Sequence, residues 1–238
     1  MGYTLRRLAA KCANTYAQKK LSDFFIPNQL GVAVPGGVEA AVHATRHFVE
    51  NMDGDDVITN AFNCIRRDSI LHEVSVHLPE IYPFCHSVYS DTSVLQIGSK
   101  VVTSGEGVQQ GDPLGPLLFC LTLQPLLNSL SSPLKVGYLD DITLGGPIDL
   151  VNTDVSTIIS TGTAIGLNLN LTKCEIICDS SVQTGLVISD FLHVPRNQTL
   201  LLGVPLINGP ALEAAIQGIV LNLPRLTANC LLLLRMML

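Results

Sequence analysis

Asp140 and Asp141 are two adjacent carboxylates, and they are the residues in this sequence whose types and spacing most clearly suggest chemistry. They lie between two short apolar runs, so the segment from Val136 to Leu144 predicts a strand, a two-residue turn carrying both acids, and a second strand. An ordinary hairpin with Asp at its tip is the simplest interpretation, because Asp tolerates turn conformations. However, adjacent carboxylates repel each other unless a cation or a proton intervenes, and this turn lacks the Gly that two-residue hairpins favour. The pattern therefore indicates a turn that presents two acids to divalent cations.

A glycine-rich string precedes the acids. It reads GVQQGDPLGPLLF from Gly107 to Phe119, and an apolar stretch continues to Leu130. This composition predicts a loop that leads into a helix, with Asp112 or Pro113 near the first turn. A Gly/Pro loop before a buried helix would explain the string alone, but glycines also let the backbone approach a ligand closely. The loop is thus a candidate ligand-binding element.

In this order and spacing, the two strings resemble motifs B and C of a reverse transcriptase of the non-LTR retrotransposon type. Further segments resemble other parts of that family in the same order. These are YTLRRLAAKC and QLGVAVPGG for the fingers, TNAFNCIRRD (Thr59 to Asp68) for the latter half of motif A, GLNLNLTKCEII (Gly166 to Ile177) for motif D, and TLLLGVPL (Thr199 to Leu206) for motif E.

The resemblance implies a polymerase right hand of the α+β class, with an antiparallel palm sheet backed by helices. Partial fingers are expected over residues 1–52, a palm with a partial motif A and motifs B to E over 53–206, and the start of a truncated thumb over 207–238. Hydrophobic periodicity also predicts interleaved helices and strands. Helical patterns lie near 38–49, 68–77, 114–130 and 150–165, and strand patterns near 93–103, 135–144, 174–178 and 200–205.

The chemistry that the resemblance implies is RNA-directed DNA synthesis by two-metal nucleotidyl transfer. Its cofactor would be two Mg²⁺ ions, with Mn²⁺ as an alternative, and its partners an RNA template, a DNA primer and dNTPs. Asp140 and Asp141 match the metal-binding acids of motif C. The other roles carried over by motif are nucleotide contacts by Gln110, Gly111, Arg6 and Arg7, a place under the sugar for Phe62, and protonation of pyrophosphate by Lys173.

Motif A departs from the family pattern. The family places a third metal-binding carboxylate at the end of an apolar strand, five residues before the aromatic matched by Phe62, and here that position is Val57. The simplest account is that a short strand segment carrying the Asp is missing between Ile58 and Thr59. Asp56 is a candidate substitute ligand, but it is one residue out of register, so a bulge would have to turn it toward the metals.

Composition limits the class of protein. Nearly half of the 238 residues are apolar, which is enough to bury one substantial core, and the net charge of −6 argues against a generally basic nucleic-acid binder. The first twenty residues carry five basic side chains and no acid, which fits either a phosphate-binding face or a solvated helix face. Seven scattered cysteines without a CxxC motif, and no signal peptide, predict an intracellular protein of cytoplasm or nucleus that is neither secreted nor membrane-bound.

Three functions are consistent with these observations. The first is an active reverse transcriptase domain, and the second is a degenerate copy that keeps the fold without the chemistry. The third is a module that binds nucleic acid without turnover. The missing carboxylate favours the second, and the family pattern favours the first.

Overall fold

Helices and strands alternate along the chain in the computed structural model, so the predicted α+β class is confirmed. The structure describes residues 3–53, 56–61, 65–97, 100–109, 111–167, 169–178 and 184–217. The helices are α1 (Tyr3–Phe25), α2 (Gly37–Glu50), α3 (Arg67–His77), α4 (Tyr82–Tyr89), α5 (Gly115–Ser129) and α6 (Ile148–Ala164). The strands are β1 (Asp56–Ala61), β2 (Ser93–Ile97), β3 (Lys100–Ser104), β4 (Leu134–Tyr138), β5 (Asp141–Pro147), β6 (Glu175–Ile177), β7 (Leu192–His193), β8 (Leu200–Leu201) and β9 (Val204–Pro205).

The main sheet has five strands in the order β4-β5-β1-β6-β7. Its pairs are antiparallel, except that β6 and β7 run parallel. Strand β1 is central, and its ladder with β5 runs without a break from the pair Asp56–Pro147 to the pair Ala61–Ile142. The β4–β5 turn therefore lies at one end of the sheet, and the C-terminal end of β1 lies at the same end.

One face of the sheet packs on α5, whose side chains are buried almost all around the helix. Such a helix belongs in a core, because it has no polar face to offer to water. Ile142, Leu144 and Val57 of the sheet lie in this core together with Leu117 and Leu121 of α5. The sequence pattern Leu-Leu-Phe-Cys-Leu thus fixes the layer that supports the β4–β5 turn from behind.

The opposite face is covered by α2 and by the small β8–β9 hairpin. Ile58 and Val136 pack there against Val42 of α2 and Leu201 of β8. The packing is close, because a Cβ added at Gly145 would lie 2.8 Å from the ring of Phe48. Glycine on β5 therefore lets α2 lie directly on the sheet.

The edge strand β4 is protected by the segment that follows α1. Gln29 forms a parallel bridge with Gly137, and the Leu30 N–H donates to the Gly137 carbonyl at 2.7 Å. The Gly137 N–H donates in turn to the Asn28 carbonyl at 2.6 Å. Covering an edge in this way satisfies its backbone groups and prevents further strand pairing.

The periodicities predicted α2, α3, α5 and α6 to within a few residues, but they missed α4, which is only eight residues long, and α1, which is 23 residues long. The strand pattern near 93–103 is a hairpin of β2 and β3, in which Ser93 pairs with Ser104. Within the described ranges, no helix is both long and apolar enough to cross a membrane.

The loop between α5 and β4 depends on one buried acid. Asp154 of α6 is 3% exposed and accepts hydrogen bonds from the Ser131 N–H, from the Ser132 N–H at 2.6 Å and from the Ser132 hydroxyl at 2.6 Å. We predict that Asp154→Ala lowers the free energy of unfolding by about 2–4 kcal/mol, because buried donors lose their charged acceptor. Urea denaturation measures this change. The matched substitution Asp149→Ala, at an exposed position on the same helix, should cost less than about 1 kcal/mol. Equal losses would contradict the assigned role of Asp154.

Candidate active site

The two carboxylates lie at the β4–β5 turn, one residue out of the predicted frame. Tyr138 pairs with Asp141, so the two turn residues are Leu139 and Asp140 rather than the two acids. Leu139 has a left-handed backbone with φ of 57°, which L-residues with large side chains rarely adopt. Asp140 is exposed at the tip, whereas Asp141 is the first residue of β5 and is half-buried. The turn thus gives the two acids different surroundings.

These surroundings disfavour a second negative charge. Burial, and secondarily the neighbouring charge of Asp140, raises the pKa of Asp141 from its usual value near 4 to about 6. Its Oδ1 atom is buried and has no hydrogen-bond partner among the residues that the structure describes. A buried carboxylate oxygen without a donor is costly, and a bound cation is one way to satisfy it. Carboxylate oxygens are hard ligands of the kind that Mg²⁺ and Mn²⁺ prefer, so Asp140 and Asp141 are suitable ligands for these ions.

A cleft of about 630 Å³ opens beside the turn. Arg7 and Lys11 of α1 line one part of it, and Leu139 and Asp140 line another. The remaining lining comes from the loop before α5 and from the start of that helix, at Val108, Gln109, Gly111, Asp112, Pro113, Gly115, Pro116 and Phe119. The cleft therefore brings two cationic side chains, a glycine-containing loop and two acids, Asp112 and Asp140, into one space.

The loop before α5 is held in place from two sides. Asp112 accepts a hydrogen bond from the Leu114 N–H at 3.0 Å and from the Tyr89 hydroxyl at 2.6 Å, which ties the loop to α4. Gln109 accepts a hydrogen bond from Arg6 of α1, and its Nε2 donates to the Val88 carbonyl at 3.2 Å. Gly111 has φ of 82°, a conformation that favours glycine. The cleft wall is therefore formed before any ligand binds.

The structure brings some of the predicted site residues together. Arg7 and Gly111 line the cleft with Asp140, while Arg6 contacts Gln109. Lys173 is exposed and precedes β6 at the same end of the sheet as Asp141, outside the lining of the cleft. The predicted positions Phe62 and Gln110 lie outside the described residues.

Strand register determines which described residues of β1 lie near Asp140 and Asp141. Asp56 pairs with Pro147, six residues along β5 from Asp141, which is about 20 Å at the usual rise of a strand. Val57 pairs with Gly146 and is buried in the core. The substitute role predicted for Asp56 is therefore wrong in this structure, and the reason is distance along the strand. The sequence predicted that Asp56 would lie on the opposite face of the strand from the metals. The register instead puts Asp56 on the same face of the sheet as Asp141.

No cluster of three His, Cys, Asp or Glu side chains suited to a metal ion occurs within the ranges that the structure describes. The described residue of β1 nearest the acids is an alanine, Ala61, which pairs with Ile142. The site as described therefore holds two carboxylates.

Sequence reasoning missed two residues that line the cleft. The sequence presents Lys11 only as part of a basic stretch, although its spacing of four from Arg7 places both on one face of a helix. Gln109 is bonded to α1 and α4. The helical spacing is a signal available in the sequence, whereas the contacts of Gln109 with distant helices are not.

Comparison with known proteins gives two findings. The family described as "Reverse transcriptase (RNA-dependent DNA polymerase)" matches residues 3–206. The chain is also similar to the "Retrotransposable element SLACS 132 kDa protein" of Trypanosoma brucei gambiense, with 28% identity over 188 residues. That match covers 72% of this chain but only 15% of the relative, so the chain spans a small part of the relative's length.

The charge coupling at the turn predicts a pH effect. We expect Asp140→Asn to lower the pKa of Asp141 from about 6 but not to its usual value, because burial is the larger cause and remains. Carbon-13 NMR titration of the carboxyl groups measures this shift, and Asp149→Asn is the distant control. A pKa of Asp141 below about 5 in the unchanged chain would contradict the assigned burial.

The same shift links stability to pH. Because the folded pKa is above the unfolded one, the folded state binds this proton more tightly. The resulting stabilisation is complete below the unfolded pKa and is lost as pH rises from about 4 to about 6. Asp141→Asn should remove this component from the pH dependence of the unfolding temperature.

Proposed function

The chain belongs to the reverse transcriptase (RNA-dependent DNA polymerase) family, and on that premise we propose that it is a retroelement polymerase domain that adds deoxynucleotides from dNTPs to a DNA primer on an RNA template. One observation carries the proposal. The cleft joins Asp140, Arg7, Lys11 and the glycine-containing loop, which are a carboxylate, two cations for phosphates and a backbone surface for a nucleotide. The similar protein of Trypanosoma brucei gambiense is named as a retrotransposable-element protein, which supports a retroelement origin. The non-LTR type that we propose rests on the resemblance of the motifs.

The proposed hand divides the chain as the motifs do. The five-stranded sheet with α5 and α6 forms the palm over 53–206, and the segments up to residue 52 form part of the fingers. The contacts of α1 with the loop before α5 support this division, since fingers and palm would meet across the nucleotide. The helical segment at 210–217 would begin the thumb.

Asp140 and Asp141 would hold the divalent cations, and Mg²⁺ is the ion that we propose, with Mn²⁺ as the alternative. When bound, two such ions activate the primer hydroxyl and stabilise the leaving pyrophosphate. Asp141 must lose its proton to serve as a ligand, so the raised pKa predicts weaker metal binding below about pH 6. The free Oδ1 atom of Asp141 supports this assignment.

Other residues would bind the substrate. Arg7 and Lys11 would contact the triphosphate, and Gly111 would let the loop backbone approach the base or sugar. Arg6 would act through Gln109 by holding the loop. For Gln110, Phe62 and Lys173 the roles proposed are those of the family motifs: nucleotide contact, exclusion of a 2′ hydroxyl, and proton donation to pyrophosphate.

We further propose that this copy has little polymerase activity, because no described residue of β1 supplies a third carboxylate near the pair. Each cation in such a site relies on few protein ligands, so losing one would cost several powers of ten in rate. The register suggests what would restore it. If Val-Lys-Leu-Asp-Phe were inserted after Ile58 and the ladder kept its register, the new Val, Lys and Leu would pair with Leu144, Thr143 and Ile142. The new Asp would then fall opposite Asp141.

Primer extension on an RNA template with Mg²⁺ tests this function. The chain with Val-Lys-Leu-Asp-Phe inserted between Ile58 and Thr59 should extend the primer at least about a thousandfold faster than the chain without it, which should stay near background. The matched control is Val-Lys-Leu-Asn-Phe, which has the same length without the carboxylate, and it should also stay near background. Adding Asp140→Asn to the Asp insert should abolish the gain.

Two results would overturn these proposals. If the Asp and Asn inserts behave alike and neither extends the primer, the chain is not a polymerase domain that lacks one carboxylate. If the unmodified chain extends as fast as the Asp insert, the site does not need the third ligand, and the proposed inactivity is wrong.

Helix α1 supports a second candidate, nucleic-acid binding without turnover. Lys11 and Lys19 are both exposed on this helix, but only Lys11 lines the cleft. We expect Lys11→Ala to weaken binding of a labelled RNA–DNA primer–template or of dNTP by about tenfold and to reduce the salt dependence by about one phosphate contact. Lys19→Ala should leave both unchanged. Fluorescence anisotropy at several salt concentrations measures the affinity and the salt dependence of each variant. Equal losses of affinity in Lys11→Ala and Lys19→Ala would show that phosphate binding is spread along the helix.

A further inference from the structure

Gln29 is a polar side chain in an unusual place. It is 0% exposed, and it follows α1 on the segment that covers the edge of β4. Its Oε1 atom accepts two hydrogen bonds, from the Gly31 N–H at 3.0 Å and from the Leu139 N–H at 3.2 Å. The second bond joins residues far apart in sequence and ends on the turn that carries Asp140. Gln29 is therefore connected directly to the backbone of the carboxylate site.

The orientation of this amide is determined by its partners. Both neighbours are N–H donors, so the oxygen must face them, and the Nε2 atom faces away without a hydrogen-bond partner in the described part of the chain. An unpaired buried donor lowers stability, and an apolar side chain of the same size would not have that cost. What glutamine provides here, and an apolar residue would not, is the acceptor for Leu139.

A second, independent observation shows that the segment after α1 lies in close contact with the β4–β5 turn. A Cβ added at Gly31 would lie 2.4 Å from the Leu139 nitrogen and 3.0 Å from its Cγ, so only glycine fits. Leu139 is also the residue with the left-handed backbone, at φ of 57°. A bulky residue adopts that conformation only when its surroundings compensate for the strain. Both contacts fall on the strained residue.

We propose that Gln29 is a positioning residue: its Oε1 holds Leu139 in the left-handed conformation and so fixes Asp140, which lines the cleft, and the adjacent Asp141 relative to each other. The inference rests on the proposed function, since it assigns Gln29 to the metal-binding turn of that site. Gln29 would touch neither metal nor nucleotide, and it would act through the backbone of Leu139. Metal affinity would depend on it because two ligands bind well only when their spacing is fixed beforehand.

Two measurements on the full chain test the proposal. Amide hydrogen exchange, followed by NMR, reports whether the Leu139 N–H keeps its acceptor. Mn²⁺ titration, followed by water proton relaxation, reports metal binding without requiring polymerase activity. In Gln29→Met, which keeps the length but removes the acceptor, Leu139 should exchange about tenfold faster and Mn²⁺ should bind about tenfold more weakly. Gln29→Glu, which keeps an oxygen at the same place, should restore slow exchange.

The matched control is Asn28→Leu. Asn28 is buried on the same segment, but its side chain bonds Asn128 at 3.0 Å rather than the turn. This variant should leave Leu139 exchange and Mn²⁺ affinity unchanged. Gly31→Ala acts through the other contact, and it should reproduce the effects of Gln29→Met by displacing Leu139.

The outcomes separate the inference from the proposed function. Unchanged Leu139 exchange in Gln29→Met would overturn the inference, as would equal acceleration in Asn28→Leu. Faster exchange with unchanged Mn²⁺ affinity would show that Gln29 only stabilises the fold, which also overturns it. If the unchanged chain binds no Mn²⁺, the metal site of the proposed function fails, and the exchange comparison alone decides whether Gln29 holds the turn.

Discussion

Strand β1 is hydrogen-bonded on both sides, to β5 and to β6, and a strand in that position cannot slip by one residue without turning every buried side chain to the opposite face. Val57 is held in the core behind the sheet, and Ile58 is held against α2 and β8 on the other face. These two apolar residues fix the register, and the register fixes which residues approach the β4–β5 turn. The composition of the carboxylate site is thus decided by hydrophobic packing some distance away from it.

At the β4–β5 turn, the electrostatic interactions of the acids and the backbone conformation both destabilise the folded structure. Two acids are adjacent, one of them is partly desolvated, and the residue before them is left-handed. Each feature costs free energy in the isolated chain. Gln29 and Gly31 contact the strained residue closely, while no donor among the described residues reaches the Oδ1 atom of Asp141. A site in which two adjacent carboxylates repel each other is suited to bind a cation.

The cleft is preorganised by contacts between segments distant in sequence. Arg6 reaches Gln109, Tyr89 reaches Asp112, and Gln124 of α5 donates to the Phe24 carbonyl at the end of α1. Arg67 adds to this frame by donating to the Gly107 carbonyl at 3.1 Å. Fixing the loop beforehand reduces the ordering that a ligand must bring about when it binds.

The sequence by itself determined the α+β class, most of the helices, the motif order and the pair of acids at a hairpin, because apolar periodicity, turn residues and motif spacing are local properties of the chain. It also predicts that the motif A acid is missing. The tertiary structure alone decided that the turn begins at Leu139, that Asp56 is about 20 Å along the sheet from Asp141, that Lys11 and Gln109 line the cleft, and that Gln29 accepts a hydrogen bond from the turn. Those facts depend on strand register and on packing between elements a hundred residues apart, and neither is encoded in any short stretch of sequence.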